Sequence, residues 1–205
     1  MILKLLTIGL LSLYTTTHSF GQATEINDFK QKKYKTFSSE GHEKNRGLIF
    51  TIKYPATYST TEVKNENIVK GFTHKAYKLI YMVGVIKSPT IFTHEEEELV
   101  LSEDNLKKSV GIVTNDNQNF LSYKNDLKVN GMKAAYLEYL TNVTESTKSY
   151  IRQYFVIYKN FVVTISFNVP NQSTGTLETT KATFNSYKPF FAVAANTFNI
   201  LKNEK

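Results

Sequence analysis

The run from Phe161 to Val169 constrains the chain more than any other stretch. Phe161, Val163, Ile165, Phe167 and Val169 alternate with Val162, Thr164, Ser166 and Asn168. A period of two marks a strand with one strongly apolar face. Pro170 has no backbone donor and closes the strand. Tyr150 to Tyr158, rich in aromatic and β-branched residues, precedes it. The link Lys159-Asn160 fits a two-residue hairpin, in which Asn tolerates positive φ. That turn sets Tyr158 against Phe161, Val156 against Val163, Tyr154 against Ile165, Arg152 against Phe167 and Tyr150 against Val169. The other face pairs Ile157 with Val162, Phe155 with Thr164 and Gln153 with Ser166. Near the turn both faces are apolar, so the sheet has to be covered on both sides.

Met132 to Val143, entered through Asn130-Gly131, supplies a third strand, so that Asp126 to Pro170 reads as a three-stranded antiparallel meander. Setting Val143 against Ser149 places Glu138 opposite Tyr154 and diagonal to Arg152. A Glu138–Arg152 pair would then let two charges sit on a mostly apolar face. A slip of one residue would turn every side chain to the other side.

Earlier in the chain, Leu48 to Tyr54 is a strand stopped by Pro55, and Asn67 to Thr73 is another. Lys78 to Ser88 is nearly all apolar, as a central strand covered on both faces would be. Between Thr93 and Asn115 lie one or two helices. Thr93 and Glu96 have the spacing of a capping box, and the run of Glu suits the positive end of a helix dipole. Leu99, Leu106, Val110 and Val113 recur at helical spacing. Leu177 to Ile200 reads as the closing helix. Its buried face is Leu177, Phe184, Tyr187, Phe191, Ala194 and Phe198, and Pro189 should kink it or begin its second half.

Met1 to Ala23 has the layout of an export signal. Lys4 gives a basic start, Leu5 to Tyr14 is apolar, and Gly21-Gln22-Ala23 offers a small-residue cleavage site. The apolar run falls short of the roughly 20 residues that span a bilayer. An uncleaved anchor or a buried N-terminal helix is the alternative. Thr24 to 36 is polar, a flexible lead-in or a short helix, and 37–203 makes one domain. The expected location is therefore periplasmic or extracellular, with no transmembrane segment after cleavage. The chain has no Cys, so its stability rests on the core alone.

The formal charge is +7, with only Arg46 and Arg152 as arginines. The lysines are dispersed, whereas nucleic-acid readers use clustered basic faces rich in Arg. No nucleic-acid partner is expected. His42, His74 and His94 follow the signal. His94 and Glu98 could share a helix face, but no zinc or calcium spacing is present, so no metal or cofactor is expected. There is no GxSxG elbow and no glycine-rich phosphate loop. A hydrolase would need one of the three His beside a carboxylate or hydroxyl in a cleft. The tyrosines of the meander read as core before they read as ligand contacts.

The ordered set of motifs resembles the PsbP-like (Mog/PsbP) family, its exported bacterial members in particular. The matching stretches are Gly47-Leu48-Ile49-Phe50-Thr51-Ile52-Lys53-Tyr54-Pro55 and Asn67-Ile68-Val69-Lys70-Gly71-Phe72. Val129-Asn130-Gly131-Met132-Lys133-Ala134 and Tyr158-Lys159-Asn160-Phe161-Val162-Val163 follow. Tyr187-Lys188-Pro189-Phe190-Phe191, continuing through Thr197-Phe198, completes the set. Tyr58 stands where many relatives carry Trp. The resemblance implies an α+β fold, an α/β/α sandwich around a mainly antiparallel sheet. It also implies a scaffold that binds proteins or assemblies without catalysis. Relatives include photosystem extrinsic subunits and a small-GTPase-binding factor, but no photosynthetic or GTPase-binding motif is present.

The expected function is that of an exported, monomeric, non-catalytic domain that binds a protein or cell-envelope partner. The alternative is a small-ligand or lipid carrier with an aromatic-lined cavity between sheet and helix. Candidate contacts lie where the second face of the meander turns polar, at Gln153, Ser166 and Asn168, with Arg152 on the first face.

Overall fold

The computed structural model describes residues 20–74, 76, 79–112, 119–142, 147–171 and 175–203. The elements in order are α1 (Phe20–Lys30), β1 (Tyr34–Ser38), a 3-10 turn (Glu43–Asn45), β2 (Leu48–Pro55), β3 (Tyr58–Thr61), β4 (Ile68–His74) and β5 (Ile80–Lys87). There follow α2 (His94–Val100), α3 (Glu103–Ser109), β6 (Phe120–Val129), β7 (Met132–Asn142), β8 (Lys148–Tyr158), β9 (Phe161–Pro170), α4 (Leu177–Ala195) and β10 (Asn199–Asn203).

The hairpin β8–β9 has the register its turn dictates, from Tyr158 opposite Phe161 to Tyr150 opposite Val169. Positive φ falls on Lys159 rather than Asn160 (φ 54). The Asn160 side chain instead donates to the Ser88 carbonyl and ties the turn to the end of β5. Asn130 and Gly131 both take positive φ, which a tight two-residue turn between twisted strands requires. The meander starts earlier than the sequence reading had it, because Phe120 to Val129 is itself a strand paired with β7. The β7–β8 register also differs from the expected one by two residues. Glu138 stands directly opposite Arg152, and Thr141 opposite Ser149. A shift of two keeps every side chain on its face, so the expected pairing of the two charges survives the error.

Among the described residues the strands make two sheets. The larger has the order β3-β4-β5-β9-β8-β7-β6, and the smaller has the order β1-β2-β10. All neighbours are antiparallel. One face of the large sheet packs on α4, α1 and the small sheet around Phe50, Tyr81, Phe167, Phe190 and Phe191. On the other face, Leu101 just after α2, Leu106 of α3 and Ile112 in the turn beyond cover Ala135, Leu137, Ile151 and Phe155. The architecture is α+β, a sheet covered on both sides. One outer layer, however, is a helix pair combined with a small sheet.

Besides β6, three strands were not foreseen. Tyr34–Ser38, which straddles the expected boundary between lead-in and domain, pairs with β2, and α1 occupies the residues before it. Tyr58–Thr61 pairs with β4. The closing helix ends at Ala195 rather than Ile200, and Asn199–Asn203 joins the small sheet as β10. Pro189 lies inside α4 without ending it. Its missing N–H leaves only the carbonyl of Asn185, an exposed residue that water can reach. Residues 94 to 109 form two short helices, the first with the expected capping box of Thr93 and Glu96. Leu99 and Leu177, expected in the core, are 62% and 37% exposed. Val113 and residues 1–19 of the signal reading lie outside the described residues.

The layer between the large sheet and α4 is filled by rings. Tyr54, Phe72, Tyr81, Phe167 and Phe191 stack in series, with neighbouring centroids 4.6, 4.5, 5.2 and 4.7 Å apart. The aromatic residues that a carrier would need as cavity lining contact one another.

Candidate functional site: a buried ionic cluster at the mouth of a cleft

Alternation along β8 puts Arg152 on the same face as Tyr150 and Tyr154, under α4. The register of β7 puts Glu138 beside it, and β6 puts Ser122 beside Glu138. Both charged side chains are nearly inaccessible, Glu138 3% and Arg152 8% exposed. Arg152 donates from Nε and Nη2 to Glu138 Oε1, at 2.8 and 2.5 Å. Its Nη1 donates to the Tyr154 hydroxyl at 3.3 Å and reaches the Lys188 carbonyl at 3.5 Å. The other carboxylate oxygen accepts from Lys188 Nζ at 2.9 Å and Ser122 Oγ at 2.8 Å. The Arg152 guanidinium also lies 4.5 Å from the centre of the Tyr136 ring, a cation–π contact.

Burial alone would raise the pKa of Glu138. The hydrogen bond from Lys188, the charge of Arg152 and the hydroxyl of Ser122 outweigh that cost and hold it below the ordinary carboxylate value. A carboxylate held in its charged form below the ordinary carboxylate range makes a poor proton donor near neutral pH. The cluster is suited to holding charge in place rather than to proton transfer.

The cluster is open on one side. A solvent-open cleft of about 290 Å³ lies over it, with Tyr136, Tyr150 and Phe184 as aromatic walls, Glu138 in the floor, and Lys181 and Lys188 on the helix side. Lys181, Phe184 and Lys188 lie three, four and seven residues apart on α4, which places them on one helix face.

Of the residues singled out from sequence, Arg152 sits in this cluster. Gln153, Ser166 and Asn168 lie together on the opposite face of the sheet, where Gln153 opposes Ser166 and Ile151 opposes Asn168. Gln153 Oε1 accepts from the Tyr139 hydroxyl at 2.9 Å. Ser166 is buried, and the buried Oδ1 of Asn168 has no hydrogen-bond partner among the described residues. The structure does not bring these three together with Arg152. Sequence reasoning missed Lys188, Lys181 and Ser122. The one available signal was the spacing of Lys181 and Lys188, two turns apart on either side of Phe184.

The three His stand on separate elements. His42 precedes the 3-10 turn, 3.6 Å from Glu62. His74 ends β4 against the Tyr58 ring. His94 starts α2, its side chain 81% exposed, near Glu97 and Glu98. A second open cleft, about 490 Å³, lies between α2 and the β6–β7 hairpin. It mixes His94, Glu98 and Asp126 with Lys128 and Lys133, and Glu98 is already paired with Lys133. Among the described residues no group of three or more His, Asp or Glu could hold a metal ion. No helix among them is long and apolar enough to cross a membrane.

A twisted antiparallel sheet, covered by α4 on one side and short helices on the other, is the PsbP/Mog1-like fold, and the chain has it. It is similar to cyanobacterial PsbP (CyanoP) from Synechocystis sp. PCC 6803, with a TM-score of 0.53 and 13% identity over 82% of this chain and 93% of that one. It is also similar to the Saccharomyces cerevisiae Ran-binding protein Mog1p, with a TM-score of 0.51 and 11% identity over 82% of this chain and 95% of that one. At these identities the likeness establishes the fold alone. No protein-family model and no curated protein matches the chain.

Proposed function

We propose that the chain is an exported, non-catalytic domain that binds a protein or cell-envelope partner. The observation that carries this reading is the buried Arg152–Glu138–Lys188 cluster opening into an aromatic-walled cleft. Burying such charges costs stability unless they are fully paired. Here they are paired, and one side of the cluster still faces solvent. Aromatic walls around a few fixed polar groups are what recognition sites have in common. One protein of the same fold, yeast Mog1p, is a Ran-binding protein, which supports binding as a use of this scaffold. Export is supported by the three-part layout of Met1 to Ala23.

The exposed large apolar residues, among them Ile86, Ile91, Leu99, Leu121 and Val193, are distributed over several elements. The reading therefore leans on the charged cleft and not on an apolar patch. The test is in-cell crosslinking of the full chain carrying a C-terminal tag, in cells that naturally make it. The expected result is an N-terminus at Thr24, recovery from the envelope or medium, and a discrete crosslinked complex. An unprocessed chain in the cytosol, or a monomer in every fraction, would overturn the proposal.

A further inference from the structure

We propose that the cleft between α4 and β6–β8 receives an acidic peptide segment of the partner, one carboxylate side chain entering between Lys181 and Lys188. This rests on the binding role argued above and names the chemistry that the cleft selects. Charge complementarity selects such an occupant. Lys181 and Lys188 line the cleft and Arg152 lies buried behind it, against the single carboxylate of Glu138, so positive charge is left over.

The surplus is unevenly placed. Arg152 is committed: its donors go to Glu138, Tyr154 and the Lys188 carbonyl. Lys188 spends one donor on Glu138, and its side chain is 33% exposed. An ammonium has three donors, so it can hold a second carboxylate without releasing the first. Lys181, two turns away on the same helix face, is exposed and has no ionic partner among the described residues. Lys124, exposed and opposite Tyr136 on the edge strand, adds a fourth cation on that face of the sheet.

Size and walls narrow the occupant. About 290 Å³ lies at the small end of ligand sites, room for one side chain and its neighbours. Tyr136, Tyr150 and Phe184, with half-exposed Leu121 at the lip, supply apolar contact for the peptide's carbon atoms. The Glu138 carboxylate in the floor disfavours a doubly charged phosphate, which would meet a fixed negative charge at close range. Pairing of the peptide backbone to the free edge of β6 is disfavoured too. The ladder of that strand is irregular at Phe120/Ser122 and at Lys124/Leu127, and Asp126 takes positive φ. Such bulges keep an edge from accepting another strand.

The test is fluorescence anisotropy with the purified full chain and a fluorescein-labelled hexapeptide alternating Glu with Leu and Phe. The control peptide carries Gln for every Glu. The acidic peptide should bind, bind more weakly as salt rises, and lose affinity about tenfold with Lys181→Glu, since an exposed attraction becomes a repulsion. Lys181 takes no part in the buried cluster, so this variant should fold normally, which circular dichroism checks. Lys188→Met should weaken binding as well. Equal binding of the Gln peptide, an unchanged affinity in Lys181→Glu, or competition by inorganic phosphate more effective than by free glutamate would each overturn the assignment. If the peptide fails while crosslinking still yields an envelope complex, the binding role stands and only the assigned occupant falls.

Discussion

At the scale of single residues, two buried carboxylates set opposite pH dependences. Glu138 is held below its ordinary pKa of 4.5 by Lys188, Arg152 and Ser122 against the cost of burial. The stability it contributes is fully present above that ordinary value and is lost as pH falls through the lower folded value. Glu25, on the inner side of α1, is also buried, 4% exposed, and Tyr187 of α4 donates to it at 3.4 Å. Burial dominates there and raises its pKa. Its contribution is fully present below the ordinary value and is lost as pH rises through the raised one. Glu25→Gln should therefore flatten the melting temperature on the side above about pH 4.5, and Glu138→Gln on the side below it; scanning calorimetry across pH checks both. Arg152→Met leaves Glu138 buried with Lys188 as its only charged partner. We expect a loss of about 3 kcal/mol in urea unfolding, largely recovered when Glu138→Leu is added. The pairing of Glu138 with Arg152 was legible in the sequence, because both lie on apolar faces of strands joined by short links. Lys188 was not, because no pattern in a helix says which strand its polar face will meet.

Among elements, the aromatic stack between β9 and α4 holds the two layers together. Phe167 is wholly buried and contacts Tyr81, Tyr154, Phe190 and Phe191. Phe167→Ala should cost about 3–5 kcal/mol, read as a lower urea midpoint. Gly84 in β5 has a different constraint. A Cβ there would lie 2.6 Å from the Asn67 carbonyl oxygen and 2.7 Å from Thr164 Oγ1. Gly84→Ala should therefore destabilise by about 1–3 kcal/mol, although alanine suits a strand better than glycine does. β2, β5, β8 and β9 were legible because each alternates, runs apolar throughout or ends at Pro, whereas β6 was not, because most of its residues are polar and only one is buried. β1 and β3 were not, since Tyr34–Ser38 and Tyr58–Thr61 are short and largely exposed, and only pairing with β2 and β4 makes them strands. β10 was read as helix because Phe198 falls in phase with the apolar face of α4. The chain in fact turns at Asn196 and Thr197, where Thr197 Oγ1 accepts from the Lys53 amide and secures the start of the new strand.

For the whole molecule, the need for cover on both faces of the β8–β9 hairpin was enough to imply a layered fold. That the second cover is shared between α4, α1 and a small sheet was not, because the small sheet joins segments from the two ends of the chain. The residues singled out as contacts fall on two opposite faces of the large sheet. One carries Arg152, Glu138, Lys181 and Lys188 in the cleft beside α4, and the other carries Gln153, Ser166 and Asn168. Recognition is assigned to the first. The most direct measurement is a ¹⁵N heteronuclear NMR titration of the full chain with the Glu-containing peptide. Amide shifts should concentrate at Ser122, Tyr136, Tyr150 and Lys181 to Lys188. Shifts centred on Gln153, Ser166 and Asn168, or none at saturating peptide, would contradict this assignment.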